Sequence, residues 1–345
     1  MSKELVLLGS KYPKDLRQQF DAMVKKLGYT PLPASIGRFK SKEHYCELYP
    51  NALGQFEQNK NDIKDSNVHI VMNAENDMDK TFVEAINLAE TDKEYGARSV
   101  HLVLAFAPYA RQDRIFDGRM VSIMGKTFPK HLKCAGVDRI TTFDTHSKAA
   151  EAFYNSQFGA ENVRFLSAVP LIYQAIRQVV AENEKCVFGA PDGGEKPNDT
   201  AQARTRELAA TDCHQNNMFF ITKYHKGMNK TEVIDFKGNV QDCTAIELDD
   251  MTDTGGTLVN GAFTLKENGA KRVIAAVTHG IFSGKSLKNL TSDTIGDQEN
   301  PIDLLLTTDS ILGVYGKIRS LNARQKQRIV VIPTLPLIKA ALKCT

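Results

Sequence analysis

The stretch Glu247-Leu-Asp-Asp-Met-Thr-Asp-Thr-Gly-Gly-Thr-Leu258 brings acids, hydroxyls and two adjacent glycines together at one predicted turn between a strand and a helix. The apolar segment 244–248 directly before it is typical of a short β-strand. After it, apolar residues recur at helical spacing and a glycine follows where the helix is expected to end: Leu258, Ala262, Leu265 and Gly269. The stretch therefore predicts a strand–turn–helix unit with a polar turn.

This predicted turn is suited to a phosphate group. Backbone N–H groups in such a turn, and the N-terminus of the following helix, point toward a bound anion. Gly255 and Gly256 allow the backbone to approach a ligand closely, and Thr254 and Thr257 add hydroxyl donors. Three acids would repel a bare phosphate: Asp249, Asp250 and Asp253. We therefore expect a phosphorylated sugar, with its hydroxyls or a metal ion facing the acids, rather than an acidic turn that only caps a helix.

Length and composition narrow the class of protein. At 345 residues the chain is long for one hydrophobic core, so two domains are expected. A formal net charge of +3 is nearly balanced and predicts neither a nucleic acid nor a membrane as partner. No apolar run approaches the ~20 residues of a membrane span, and no secretory signal is evident at the N-terminus. The six cysteines are scattered, which predicts reduced thiols in a cytoplasmic protein rather than disulfides or a zinc site.

Strand-like apolar runs alternate with helical patterns along the whole chain, for example at 100–106 and 139–143 in the first half and at 218–222 and 272–277 in the second. Alternation of this kind predicts an α/β fold with mostly parallel sheets flanked by helices.

A short internal similarity favours two related domains. Gly96-Ala-Arg-Ser-Val100 and Gly269-Ala-Lys-Arg-Val273 each introduce an apolar strand. We expect one domain at 1–160 and a second at 161–345, without a low-complexity linker between them. The last segment of the chain is expected to pack back on the first domain.

Polar residues follow two predicted strands of the first half. The loop Ala107-Pro-Tyr-Ala-Arg-Gln-Asp-Arg114 carries two arginines that can form forked hydrogen bonds to phosphate oxygens, although arginines in a surface loop are more often only solvated. His146, in Phe143-Asp-Thr-His-Ser147, can ligate a metal or contact a phosphate, although an isolated histidine is more often structural. Strand ends of this kind are where open α/β sheets bind ligands.

Two further strand ends in the second half carry similar groups. Asp192, in Ala190-Pro-Asp-Gly-Gly-Glu-Lys196, can hold hydrated Mg²⁺ and a diphosphate, or belong to an ordinary turn. Lys223, in Ile221-Thr-Lys-Tyr-His-Lys226, can stabilise charge on a transferring phosphoryl group, or be a solvated cation. Because such residues recur at four or five strand ends, their combination favours a single polyphosphate site.

With these motifs the chain resembles the ribose-phosphate diphosphokinase family, which makes phosphoribosyl diphosphate, over nearly its whole length. Tyr109-Ala-Arg-Gln-Asp-Arg114 and Thr278-His-Gly-Ile-Phe-Ser-Gly284 are typical of that family, and Asp249-Asp-Met-Thr-Asp-Thr-Gly-Gly-Thr257 is typical of the wider phosphoribosyltransferase-like superfamily. The resemblance implies two tandem phosphoribosyltransferase-like domains, each with a mostly parallel sheet. It also implies a Mg²⁺-dependent kinase of nucleotide biosynthesis that transfers diphosphate from ATP to the C1 hydroxyl of a ribose-5-phosphate-type acceptor and releases AMP.

The resemblance also implies roles for individual residues. ATP would lie beside five of them: Phe39, Glu43, Arg111, Gln112 and Asp113. Mg²⁺ and the diphosphate would lie at His146 and Asp192. The ribose hydroxyls would meet Asp249 and Asp250, and the 5-phosphate would lie against the turn formed by Asp253, Thr254, Gly255, Gly256 and Thr257. Lys223 would be the catalytic cation, with His225 where the family has a second arginine. The loop with Phe39 and Glu43 reaches a neighbouring subunit in the family, so a homo-oligomer is implied.

The chain departs from the family pattern at 40–42, 147–149, 195–202 and 224–226. In the first of these, Ser41-Lys42 stands where the family usually has Asp-Gly. The departures leave three alternatives open: a larger acceptor such as ADP-ribose, a catalytically weakened regulatory subunit, and a simple phosphoribosyltransferase that acts on a base. The tandem length and the motif at 109–114 disfavour the last of these.

Overall fold

The computed structural model describes residues 3–50, 54–115, 120–191, 200–211, 217–226 and 231–343, and for 223–226 and 231–234 it describes the backbone. The chain forms two compact units. The first comprises Met1–Leu166, Ser310–Leu312 and Thr334–Thr345, and the second comprises Ser167–Asp309 and Gly313–Pro333. Among the helices of the described residues, none combines the length and the apolar content needed to cross a membrane.

The first unit contains eight of the strands in the described residues: β1 (Glu4–Leu8), β2 (Thr30–Leu32), β3 (Ala34–Arg38), β4 (His44–Leu48), β5 (Asn67–Met72), β6 (Ser99–Leu104), β7 (Arg139–Phe143) and β8 (Val163–Leu166). Its helices up to this point are α1 (Lys14–Lys26), α2 (Phe56–Ile63), α3 (Met78–Glu94), α4 (Met124–Cys134) and α5 (Lys148–Phe158). Six of these strands form one sheet in the order β2-β1-β5-β6-β7-β8, and every neighbouring pair is parallel. The other two, β3 and β4, form an antiparallel hairpin.

The second unit has the following strands: β9 (Cys186–Ala190), β10 (Met218–Lys226), β11 (Thr231–Lys237), β12 (Thr244–Thr252), β13 (Arg272–Gly280), β14 (Thr294–Ile295), β15 (Gln298–Glu299), β16 (Leu304–Thr308) and β17 (Ile329–Ile332). Its helices are α6 (Val169–Val179), α7 (Thr200–Thr211), α8 (Gly256–Glu267), α9 (Ser286–Leu290), α10 (Gly313–Arg319) and α11 (Ala323–Gln327). The main sheet has the order β11-β10-β9-β12-β13-β16-β17, and its pairs are parallel except β10 with β11. The chain then returns to the first unit with α12 (Leu335–Lys343).

Both faces of the first sheet are covered because successive side chains of a strand point to opposite faces. Leu5 and Leu7 of β1 pack in a cluster with buried residues of α3, α4 and α5. Val6 and Leu8 pack in a different cluster with buried residues of α1 and α12. Strands buried on both faces are largely apolar, which is typical of parallel sheets between helices. The predicted α/β class with mostly parallel sheets is confirmed.

Candidate functional site

The turn at 253–257 lies at the carboxyl end of β12, where the chain enters α8. Gly255 has a left-handed backbone with φ of 86°, and a Cβ atom there would lie 2.9 Å from Leu290 Cδ2, so the position requires glycine. Around Gly256 the space is open, because the nearest atom to a Cβ would be Thr254 Oγ1 at 3.9 Å. No side chain of the described residues caps α8. Its first N–H groups and its dipole are therefore available to an anion such as phosphate.

The two acids before the turn differ in their surroundings. Asp250 is buried, with 3% of its surface exposed, and its Oδ1 accepts a hydrogen bond from Arg204 Nη2 of α7 at 3.0 Å. Asp249 is half-buried, and its Oδ1 accepts the backbone N–H of Asp250 at 2.8 Å. Burial, and then the neighbouring charge of Asp250, raise the pKa of Asp249 well above its usual range, while Arg204 acts in the opposite direction.

A lysine outside the motif supports the turn. The N–H of Ile281 donates to the carbonyl of Thr252 at 2.9 Å, and the N–H of Ser283 donates to that of Asp253 at 3.1 Å. Lys317, on α10, donates from Nζ to the carbonyl of Ile281 at 2.6 Å. Burial lowers the pKa of Lys317, and the charge of Asp253 opposes that effect. A positive charge thus lies beside the acidic turn and offsets part of its negative potential.

The predicted catalytic residues Lys223 and His225 lie in the last part of β10, opposite Ile234 and Glu232 of β11. Because β10 and β12 both run parallel to β9, which lies between them, their carboxyl ends meet at the same edge of the sheet as the turn. The side chains of these two residues, and the whole of Asp192, lie outside the described part of the chain.

In the first unit, the structure brings Asp113 and the segment after β7 together. Ser147 donates from Oγ to Asp113 Oδ2 at 2.5 Å, and the same hydroxyl accepts the N–H of Ala150, which caps α5. Arg114 donates to both oxygens of Asp113, at 2.7 and 2.8 Å. The hydrogen bonds from Arg114, followed by that from Ser147 and the charge of His146, hold the pKa of Asp113 below its usual range despite burial.

Arg111 and Gln112 are exposed on a loop that Tyr109 anchors. Tyr109 has φ of 62°, and its hydroxyl donates to Asp79 Oδ1 at 2.5 Å. The backbone carbonyl of Gln112 accepts the N–H of Gly125 at the start of α4, at 3.1 Å. The loop is thus fixed at both ends, while its two polar side chains point outward.

Phe39 and Glu43 lie at the tip of the β3–β4 hairpin. Phe39 is 59% exposed and packs beside Tyr45, with 5.0 Å between ring centroids. Glu43 is exposed and accepts a hydrogen bond from Ser41 at 2.6 Å. Between them, Lys42 has φ of 73°, a left-handed conformation that favours glycine.

The described residues offer few ligands for a metal ion. Among them, no group of three or more His, Cys, Asp and Glu side chains is arranged to hold a metal ion. Mg²⁺ commonly takes one or two carboxylates, with water and substrate phosphates as its other ligands. His146 lies near enough to Asp113 to affect the pKa of that carboxyl. Asp113 already accepts hydrogen bonds from Arg114 at both oxygens and from Ser147. The described residues therefore do not by themselves form a Mg²⁺ site, and the metal-binding role of His146 stays a prediction.

The sequence analysis did not identify three residues that contact the predicted site or the loop beside it: Ser147, Arg204 and Lys317. Ser147 precedes a helical pattern, so its role as an N-cap had a local signal. Its bond to Asp113 spans 34 positions, and that of Arg204 to Asp250 spans 46. Contacts of this length leave no trace in local spacing.

Two family models match this chain, one in each half. The N-terminal domain of ribose phosphate pyrophosphokinase matches residues 13–136, and the phosphoribosyl synthetase-associated domain matches 181–337. The ribose-phosphate pyrophosphokinase of Pasteurella multocida is 31% identical over 84% of this chain and 82% of its own length. That of Haemophilus influenzae is 32% identical over 84% of each.

A solved structure shares the fold. The crystal structure of phosphoribosylpyrophosphate synthetase from Mycobacterium smegmatis has a TM-score of 0.76 and 21% identity, and the match covers 99% of this chain and 98% of that one. The predicted fold of two phosphoribosyltransferase-like domains is therefore confirmed. The relatives also confirm the resemblance that the motifs indicated: the chain belongs to the ribose-phosphate pyrophosphokinase family, whose members are ATP-dependent diphosphotransferases.

Proposed function

We propose that this protein transfers the β,γ-diphosphate of ATP to the C1 hydroxyl of ribose 5-phosphate, forming phosphoribosyl diphosphate and AMP. The observation that carries the proposal is the turn at 253–257: a left-handed Gly255 opens an uncapped helix shortly after three acids, in a chain 31–32% identical to ribose-phosphate pyrophosphokinases. This arrangement suits a ligand with a phosphate at one end and sugar hydroxyls at the other.

In the proposed reaction, the C1 hydroxyl oxygen attacks the β-phosphorus of ATP in line. The bond from that phosphorus to the oxygen bridging the α- and β-phosphates breaks, AMP leaves with that oxygen, and the hydroxyl proton is released. Such a transfer requires mainly positioning and charge stabilisation. Turn residues Asp253 to Thr257 would hold the 5-phosphate, and Asp249 and Asp250 would orient the sugar.

The remaining proposed roles concern ATP. Phe39, Glu43, Arg111, Gln112 and Asp113 would bind it, and Lys223, with His225 beside it, would stabilise the charge that develops on the transferred group. His146, with Asp192 as the predicted partner, would hold Mg²⁺, which when bound neutralises charge on the substrate phosphates.

We further propose a cytoplasmic homo-oligomer in which the hairpin tip serves a neighbouring subunit. The exposed ring of Phe39 at that tip supports contact with a second copy. The described cysteines are all free, which suits a reducing compartment.

The function is tested by incubating the purified protein with ATP, Mg²⁺ and either ribose 5-phosphate or ADP-ribose, while AMP is measured by chromatography. AMP formation with ribose 5-phosphate is the expected result. AMP formation with ADP-ribose and not with ribose 5-phosphate would mean that ADP-ribose is the acceptor. ATP binding without AMP formation from either compound would indicate a regulatory subunit.

The catalytic role of Lys223 is tested in the same assay. Lys223→Ala should lower kcat by roughly 100-fold or more, the usual cost of losing one stabilising group in a transfer site. Lys237→Ala, on the paired strand β11, is the matched control and should retain full turnover. Near wild-type kcat in Lys223→Ala would remove this residue from the catalytic role.

A further inference from the structure

The β3–β4 hairpin is attached to α3 directly beside the tip that carries Phe39 and Glu43. Arg38 and His44 are the last paired residues of the hairpin before that tip. Arg38 donates from Nε to His44 Nε2 at 2.8 Å and from Nη2 to Asp77 Oδ2 at 3.0 Å. One guanidinium group thus joins both strands of the hairpin to the residue that precedes α3.

Asp77 uses each of its carboxylate oxygens for a different element. Oδ1 accepts the backbone N–H of Lys80 at 2.9 Å and thereby caps α3, while Oδ2 accepts the bond from Arg38. The hydrogen bond from the N–H of Lys80 lowers the pKa of Asp77, burial opposes that effect, and the hydrogen bond from Arg38 adds to it. Because the cap fixes this carboxylate against the helix, Arg38 meets an anion whose position is set by α3.

The hairpin side of this link is fixed as well. The guanidinium of Arg38 always carries its protons, so His44 Nε2 accepts the bond and the ring proton lies on Nδ1. That Nδ1 lies 3.4 Å from Glu84 Oε1 of α3, and the side chains of His44 and Glu84 are 9% and 6% exposed. Burial, followed by the charges of Arg38 and Lys80, lowers the pKa of His44 and favours the neutral ring that the bond requires.

The exposure of the two charges argues that the link serves more than stability. The side chains of Arg38 and Asp77 are 39% and 49% exposed, and ion pairs at such exposure contribute little to the free energy of unfolding. A ligand at the tip is more sensitive, because Phe39 follows Arg38 directly in the chain and Glu43 precedes His44. A change in the direction of this strand pair moves both tip residues, and small errors in position weaken a binding site strongly.

We propose that Arg38 and Asp77 are positioning residues that hold the hairpin tip in the direction in which Phe39 and Glu43 meet ATP. The inference rests on the proposed function, which assigns the ATP contacts to the tip. Arg38 and Asp77 act through the tip and do not touch ATP themselves. Arginine suits this place because its planar group donates to two partners in different directions, which the single ammonium of lysine does less well.

The experiment measures kcat, the KM for ATP, the KM for ribose 5-phosphate and the Tm of Asp77→Asn and Asp77→Ala in the full chain. Asparagine caps a helix about as well as aspartate, but its second polar group is an amide NH₂ that cannot accept from Arg38. We expect both variants to raise the KM for ATP by roughly threefold to tenfold, with kcat and the KM for ribose 5-phosphate within about twofold. The Tm should fall in Asp77→Ala alone, because alanine also removes the cap.

Variants of the arginine test the other half of the link. Arg38→Met should raise the KM for ATP as much as Asp77→Asn does, and Arg38→Lys should recover part of the loss. The double variant with Arg38→Met and Asp77→Asn should be no worse than either single variant, because the two residues form one link. Arg17→Met is the matched control: Arg17 pairs with Asp21 on α1 at 2.9 Å, with side chains 50% and 38% exposed, and its loss should leave all these constants unchanged.

The KM for ATP must follow the link and not the helix cap. A normal KM in Asp77→Asn together with a raised KM in Asp77→Ala would overturn the inference, because loss of the cap would then explain the defect. A loss confined to kcat, or a higher KM in the double variant than in either single variant, would overturn it too.

Direct binding of ATP separates this inference from the proposed function. Calorimetric titration with ATP and Mg²⁺, without an acceptor, gives a Kd for the wild type and for each variant. Wild-type protein that binds ATP without forming AMP would overturn the proposed function alone, because the role of Arg38 is then read from the Kd values. Wild-type protein that does not bind ATP would overturn both.

Discussion

Lys317 illustrates how one side chain can change the character of a binding turn. The turn at 253–257 is preceded by acids that repel phosphate, yet it has the backbone of a phosphate site. The ammonium group of Lys317 reaches the carbonyl of Ile281, and Ile281 is itself hydrogen-bonded to Thr252 before the turn. One long side chain thus adds positive charge next to the acids and fixes the adjacent loop.

We expect Lys317→Met to weaken binding of the acceptor and to leave the rate of the chemical step almost unchanged. Charge-assisted hydrogen bonds contribute about 1.5–3 kcal/mol, so the KM for ribose 5-phosphate should rise roughly 10-fold to 100-fold while kcat changes little. Lys317→Arg keeps the charge and should retain most of the affinity. Lys326→Met, at an exposed position of α11, is the control. A fall in kcat with unchanged KM would mean that Lys317 has another role.

Among single residues, the sequence predicts those that belong to a recognisable pattern within a short stretch of the chain. Gly255 was identifiable because acids, glycines and hydroxyls occur together in one short stretch. Arg204 and Lys317 were not identifiable, because an arginine or lysine on a helix is usually solvated and their partners lie far away in the chain. The buried contact of Arg204 with Asp250 arises only when the second unit folds.

Among the elements, the β3–β4 hairpin shows the physical cost of a departure from the family pattern. The strand pair next to its tip is held by Arg38, which bonds His44 across the hairpin at 2.8 Å and Asp77 before α3 at 3.0 Å. Its tip places Lys42 in a left-handed conformation, where the family usually has glycine. A side chain with a Cβ atom is strained there by about 1 kcal/mol.

Lys42→Gly should therefore stabilise the hairpin by up to about 1 kcal/mol. The amides of the hairpin should exchange with deuterium more slowly, in proportion to that gain. Lys40→Gly is the control, because Lys40 has no positive φ and glycine there only adds freedom to the unfolded chain. Faster exchange in Lys42→Gly than in the wild type would contradict the assigned strain.

Central strands were predictable and peripheral elements were not. The run at 100–106 is apolar except at His101, and the run at 139–143 has three β-branched residues at its centre; they became β6 and β7. Strand β2 has only three residues and contains Pro31, so it carries no periodic signal. The hairpin has half-buried residues on both strands, and tertiary packing on the core rather than a local pattern decides its structure.

For the whole molecule, the principal feature is that the first unit is built from both ends of the chain. Ile338, Ala341 and Leu342 of α12 lie in one apolar cluster with Val6 and Phe20. Tyr29 adds a hydrogen bond from its hydroxyl to the carbonyl of Leu342, at 2.7 Å. The last helix is thus a structural part of the first unit.

Leu342→Asp should destabilise the first unit specifically, by about 3 kcal/mol or more, because it places a carboxylate in that apolar cluster. Hydrogen exchange followed by mass spectrometry should show lost protection in β1 and α1, with β12 and β13 unchanged. Lys343→Asp, at the exposed neighbouring position, should have almost no effect. Equal loss of protection in both units would show that they unfold together.

This arrangement also has a consequence during synthesis on the ribosome. The surface formed by Val6 and Phe20 emerges early, but the helix that covers it is translated after the whole of the second unit. At about 5–20 residues per second, the delay between the end of β8 and Leu342 is roughly 10 to 35 seconds. During that time the second unit has all of its segments before the first unit has its own, and the nascent chain displays an uncovered apolar surface to which chaperones can bind.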